Sequence, residues 1–281
     1  MPFCSSCGSM VEGTFCPRCG AALGAVQSAP AGQDALVHPN ERVYFVLCLA
    51  ASILAYLILV VTIVGILYVL LGGLVVLIAT GLFLGRIRAN GIRVSERQFP
   101  EVYVRAVQLA QAMNLRYVPD IYVLQAGGLL NAFAARLLGR HFVILYSDVL
   151  ELAYDKGEEA LGFVIAHELA HIKRGHLLKR VWLLPGLLVP FLGKAYMRAC
   201  EYTCDRFGAA YQPGGAVAGL LVLAAGKKLY GRVNVEEYQA QAHTETGFFV
   251  WLSEIVSTHP NLTKRVRAIG PARSFQASLG A

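Results

Sequence analysis

Residues 43–84 contain no Lys, Arg, Asp, Glu, His, Asn, Gln or Pro, and this run constrains the fold more than any other feature. About 42 such residues in one straight helix would reach about 63 Å, twice the roughly 30 Å hydrocarbon core of a bilayer. Two spans of about 20 residues fit well. The expected turn lies near Gly65, giving spans over 43–64 and 66–84, with Ser52, Thr62 and the glycines letting the two helices pack closely. Arg42 precedes the run, and Arg86, Arg88 and Arg93 follow it. The positive-inside bias then puts both flanks in the cytoplasm, at the cytoplasmic (inner) membrane. The rival is a buried core hairpin in a soluble protein, but about 18 uncharged apolar residues already mark a span.

The rest of the chain is sized for one catalytic domain plus small appendages. Of its 281 residues, 56% are hydrophobic and only 15% charged, a composition far from disorder and too apolar for a purely soluble globule. Net charge is +7. Residues 1–42 set Arg18 and Arg42 against Glu12, Asp34 and Glu41, so the positive excess lies beyond residue 84. That balance suits an anionic membrane surface or nucleic acid, and the uncharged run favours the membrane.

Four of the seven cysteines form two knuckles, Cys4-x2-Cys7 and Cys16-x2-Cys19, with Gly8 and Gly20 each following the second cysteine. Four thiolates at this spacing make a closed, tetrahedral structural zinc site, a zinc ribbon over residues 1–23. So short a segment cannot build a core, and the metal supplies its folding energy. The segment after Met1 lacks the regions of a signal peptide, in keeping with a reducing compartment. The ribbon is expected to contact an unidentified partner or the host domain. Nucleic acid is not expected, since Arg18 is the only nearby cation. Residues 24–40 follow as a linker, rich in Ala, Gly, Pro and Ser as far as Asp34.

The chemistry centres on His167-Glu168-Leu169-Ala170-His171. The pattern H-E-x-x-H needs a helix, because a spacing of four puts both imidazoles on one face to share a zinc ion. Glu158 and Glu159 suit the start of such a helix, apolar residues recur at helical spacing through Ile172, and Gly175 ends it. A catalytic zinc requires a third protein ligand. His176 falls at the wrong distance for the metzincin pattern. Glu201 is the better candidate, in a helical segment where Asp205 shares its face; one carboxylate can bind metal while the other holds a ligand imidazole by its second nitrogen.

With these residues the chain resembles the membrane zinc endopeptidases related to HtpX and the CAAX prenyl protease, the gluzincins, whose pattern is H-E-x-x-H followed by E-x-x-x-D. The resemblance covers about residues 85–270. Asn131, Ala132, Phe133 and Ala134 match a segment that runs as an extended edge along the substrate cleft, residues 146–150 match the strand-to-helix step before the active-site helix, and residues 258–265 match a T-H-P…R segment. Cys204 stands where the family usually has alanine, and two further spans present in HtpX-type members are missing. The resemblance implies zinc on His167, His171 and Glu201, Glu168 as general base on a zinc-bound water, Asp205 behind a ligand, His259 stabilising the oxyanion, and residues 131–134 pairing with extended polypeptide.

The expected architecture is mainly α (α+β): a zinc ribbon at 1–23, a linker at 24–40, two transmembrane helices at 41–86, a metallopeptidase domain with a small β-sheet at 87–273, and a tail at 274–281. A helix is expected over 101–114, and strands over 121–125, 131–136 and 142–146. Residues 181–193, uncharged but broken by Pro185 and Pro190, read as an interfacial or re-entrant segment, with a buried lid as the rival. His38, His141, His176 and His243 read as ordinary histidines, and Cys48, Cys200 and Cys204 as packing residues. The expected function is cleavage of membrane or misfolded proteins at the cytoplasmic face, with two zinc ions, one catalytic and one structural. The alternative is an inert membrane scaffold that recruits partners through its ribbon.

Overall fold

The computed structural model describes residues 32–125, 127, 131–154 and 158–270. Cys4, Cys7, Cys16 and Cys19, with the tail over 274–281, lie outside the described residues. The fold is mainly helical with one small mixed sheet.

A hairpin of two apolar helices comes first: α1 (Pro39–Val60) and α2 (Ile63–Asn90). His38 caps α1 by accepting from the Asn40 amide, and Pro39 presets the first helical turn. The turn comes at Val61 and Thr62, ahead of the expected Gly65. The Thr62 hydroxyl accepts from the Gly65 amide at 2.9 Å, so an N-cap starts the second helix and Gly65 lies within its first turn. Both helices are long and apolar enough to cross a membrane, and only 11% of the most apolar window of α1 and 0% of that of α2 is buried. A core helix of a soluble protein would be covered instead.

The expected close packing between the two spans is met at the turn, where a Cβ on Gly65 would stand 2.0 Å from the Leu59 carbonyl, but Ser52 and the later glycines behave differently. The Ser52 hydroxyl donates to the Leu183 carbonyl at 3.1 Å and accepts from the Gly186 amide at 2.9 Å. A Cβ on Gly186 would stand 2.1 Å from the Cys48 carbonyl, whereas Gly72, Gly73, Gly81 and Gly85 face open space. Beyond that turn, α1 makes its close approach to the segment over 181–193.

Strand β1 (Ile92–Arg93), helix α3 (Pro100–Ala112), strands β2 (Asp120–Leu124), β3 (Ala132–Leu137) and β4 (Arg140–Tyr146), and helix α4 (Ser147–Tyr154) follow. The sheet order is β1-β2-β4-β3, with β2 and β4 parallel and the other pairs antiparallel. Period-two alternation divides its side chains. Tyr122, Phe142 and Ile144 pack against Leu84 and Ile87 at the end of α2, while Ile121, Val123, Val143 and Leu145 join the main core. The second apolar helix is thus fastened to the domain by its last turns.

Helix α5 (Glu158–Lys173) is buried without interruption from Ala160 to His171, the mark of a central helix packed on all sides. Gly175, at φ +64°, reverses the chain into α6 (His176–Trp182). A short α7 (Leu184–Leu187) and the long α8 (Leu192–Tyr211) come next. A Cβ on Gly208 would stand 2.6 Å from the Phe163 ring, so this glycine lets α8 lie close along α5. Helices α9 (Ala216–Ala225), α10 (Val235–Thr244), α11 (Phe248–Val256) and α12 (Leu262–Ile269) complete the domain.

Within 181–193, Leu183 is buried and Gly186 touches α1, while Trp182 (66% exposed), Leu188 (75%) and Phe191 (54%) present bare apolar surface.

Candidate active site

Two helices build the site. Helix α5 places His167 and His171 one turn apart, with ring centroids 5.2 Å from each other. Helix α8 faces them with Glu201 and Asp205, again one turn apart. One oxygen of Glu201 lies 3.4 Å from His167 Nε2 and the other 3.4 Å from His171 Nε2. All three side chains are buried. Two imidazole nitrogens and a carboxylate gathered on one buried spot are the donor set of a catalytic zinc, and the residues present fit that ion.

Asp205 stands behind the first ligand. Its Oδ1 is 3.0 Å from His167 Nδ1, and Arg265 donates to both its oxygens at 2.7 Å. Arg265 Nη2 also lies 3.6 Å from Glu201. Burial opposes the charge on Asp205, but Arg265 and then His167 outweigh it and hold the carboxyl below its usual range. At His167 burial favours the neutral ring, yet Asp205 and Glu201 overcome it and the net shift is upward, to about 10. Glu201 is likewise pulled well down by the two histidines against the effect of burial. Each shift reflects positive and negative groups held together away from water.

His259, on the loop between α11 and α12, brings Nε2 to 3.7 Å from Glu201 Oε1 and stays 61% exposed. Arg198 fixes that loop by donating to the carbonyls of Glu254, Ile255 and Ser257 at 2.8–3.0 Å. Asp205 pairs with Arg265. Glu168 is buried on α5 between the two histidines.

Asn131 to Ala134 lie at the start of β3, which is the edge strand of the sheet beside β4. The Tyr146 amide bonds the Asn131 carbonyl, and the register pairs Phe133 with Ile144. By antiparallel alternation the backbone groups of Ala132, Ala134 and Arg136 then point away from the sheet. The Ala132 amide is taken by the Asn131 side chain at 2.9 Å.

Sequence reasoning passed over two further elements. His176, read as ordinary, is fully buried with Nδ1 3.1 Å from His171 Nδ1 and Nε2 3.2 Å from Glu41 Oε1. Burial, against the raising effect of Glu41, takes its pKa down to about 4, so the ring is neutral. Arg265 was visible only as the end of a short motif; the signal for burial was its place on the apolar face of α12 with Leu262 and Ile269. Cys204 does lie near the histidines, its sulfur within 4.8 Å of one nitrogen of each. It also sits 3.7 Å from His176 Nδ1, and burial pushes its thiol well up toward the protonated form. Cys200 is buried as expected, its thiol raised to about 12.

A family model described as Peptidase family M48 matches residues 96–272, from just before α3 to just past α12. No curated protein and no solved structure matches the chain.

Proposed function

The chain belongs to peptidase family M48, a family of zinc metallopeptidases acting on polypeptides, and from that premise we propose that it is a membrane-anchored endopeptidase cutting membrane or misfolded proteins at the cytoplasmic face. One observation carries the reading: His167 Nε2 and His171 Nε2 each lie 3.4 Å from a separate oxygen of Glu201 in a buried site. Zinc held there supplies a Lewis acid that polarises the scissile carbonyl and makes water nucleophilic near neutral pH.

The chain's own groups do the rest. Glu168 takes the proton from the attacking water and passes it to the leaving amine. His259, exposed at the mouth of the site, donates from Nε2 to the developing oxyanion. Asp205, 3.0 Å from His167 Nδ1, favours the proton on that nitrogen and so leaves the ring's other nitrogen for the metal. The free backbone groups of β3 at Ala134 and Arg136 take up an extended substrate as an added strand, with Asn131, Ala132 and Phe133 shaping its start. Specificity for extended chains follows, because a folded substrate offers no such strand.

The two apolar helices point to membrane association. In our reading they cross as a hairpin with both ends cytoplasmic, set by Arg42, Arg86, Arg88 and Arg93. The exposed apolar residues over 181–193, joined to α1 at Gly186, lie in the interfacial region of the bilayer and hold the site near membrane substrates. Cys4, Cys7, Cys16 and Cys19 hold a second, structural zinc and dock an unidentified partner.

The test compares full-length protein in detergent with its Glu168→Gln variant on casein and on a membrane-protein substrate. Loss of the base is expected to lower kcat by about 10²–10⁴-fold with zinc still bound. Equal cleavage by both would remove Glu168 from the mechanism. No cleavage by either would turn the reading to a scaffold.

A further inference from the structure

His171 has two ring nitrogens, and the site above uses one. Nε2 faces Glu201, so the ring's proton belongs on Nδ1. Nδ1 lies 3.1 Å from His176 Nδ1, the two rings standing nearly perpendicular with centroids 5.1 Å apart. His176 Nε2 lies 3.2 Å from Glu41 Oε1. Both His176 and Glu41 are buried, at 0% and 2% exposure. Glu41 comes from the first turn of α1, the apolar helix, and Arg174 Nη2 stands 3.4 Å from the same oxygen.

The hydrogens can be placed in only one consistent way once Nε2 of His171 is given to the metal. His171 Nδ1–H donates to His176 Nδ1, and His176 Nε2–H donates to the Glu41 carboxylate. Every ring nitrogen is used once, and the chain ends on a charge that Arg174 balances. His167 is backed directly by Asp205; His171 is backed through a second imidazole. The reversal at Gly175 makes this possible, because it folds His176 back under the ring of a residue five positions earlier.

We propose that Glu41 and His176 are positioning residues that fix the His171 ring for zinc, so that the seating of the first apolar helix sets the geometry of the metal site. The inference rests on the zinc reading given above. A rival use of the same atoms exists, because Glu41, His176 and Cys200 offer ligand atoms within 4.8 Å of one another. Arg174 beside Glu41 and the engagement of His176 with His171 argue against a cation there.

The test uses full-length protein in detergent or lipid vesicles, carrying His176→Leu, His176→Gln, Glu41→Gln or Glu201→Gln. Zinc affinity of the site that Glu201→Gln abolishes is measured by chelator competition, and the same site is read by the absorption of substituted cobalt. His176→Leu is expected to weaken zinc binding about 10–100-fold and to shift the cobalt bands at saturating metal. Glu41→Gln, the smaller change, is expected near tenfold. His176→Gln is expected to recover most of the loss, since an amide can accept from His171 and donate to Glu41. Melting of the metal-free forms is followed in parallel, and zinc affinity that differs between His176→Leu and His176→Gln at equal melting temperature separates positioning from general destabilisation. Unaltered affinity and bands in His176→Leu and Glu41→Gln, with Glu201→Gln still releasing the metal, would overturn the proposal. Release of an additional zinc equivalent from His176→Leu would overturn it too, by making His176 a ligand. If Glu201→Gln itself releases nothing, the zinc reading fails instead.

Discussion

Asp205 serves two partners at once, facing the back of His167 while Arg265 grips both its oxygens. Removing one member of such a buried pair leaves an uncompensated charge and costs about 3–5 kcal/mol. Asp205→Asn is therefore expected to lower the melting temperature clearly and, through His167, to weaken zinc binding about 10–100-fold. Its pH signature has a definite sign. The carboxyl is held below its usual range, so the stability it adds is complete above the unfolded value near ~4 and is lost as pH falls through the lower folded value. The gap between wild type and Asp205→Asn should stay constant from about pH 7 to 5 and close below about pH 4; a gap that widens on acidification would contradict this ion pair. At this scale the spacing in the sequence was enough to expect His167, His171, Glu201 and Asp205 to gather, and the structure brings them together. The sequence was silent on His176 and Glu41, since nothing local distinguishes a glutamate that enters the domain interior from one that complements a helix start.

Among the elements, the exposed edge of β3 makes the most specific demand. Ala134 directs its amide away from β4, so proline there removes a substrate contact without breaking a ladder bond. Ala134→Pro is expected to raise KM for long unfolded substrates several-fold, with little change in kcat for short peptides and retained fold by circular dichroism. A uniform fall in kcat would show that the edge is not the substrate track. Element positions were mostly readable. Helix α5 follows from periodicity and its terminal residues, the strand-to-helix step at Tyr146–Ser147 from the family resemblance, and the strands differ from expectation by one or two residues at their ends. The turn in the apolar hairpin was misplaced because glycine drew the break, whereas threonine at position 62 supplies the cap that begins α2. Strand β1 is only two residues long and carries no pattern that sequence could reveal.

Over the whole molecule, the segment over 181–193 meets α1 at Gly186 and leaves Trp182, Leu188 and Phe191 bare. Replacing those three with serine is expected to leave the protein membrane-bound through the hairpin but to slow cleavage of membrane substrates more than that of casein. Equal effects on both substrates would place the segment away from the bilayer. How the units meet was the part sequence could not disclose. Ser52 looked like a residue for helix–helix packing within the hairpin, and its hydroxyl instead joins α1 to the backbone at Leu183 and Gly186. Such contacts join residues more than a hundred positions apart, and no local periodicity records them.

The first helix therefore does more than tether. Because Glu41 is walled into the domain against His176, the ring that backs the proposed zinc ligand His171, cutting the protein free at residue 91 would not liberate a working soluble enzyme but leave a wound in its interior. Activity and residence at the bilayer would be inseparable by proteolytic shedding, a safeguard against a protease wandering from its station.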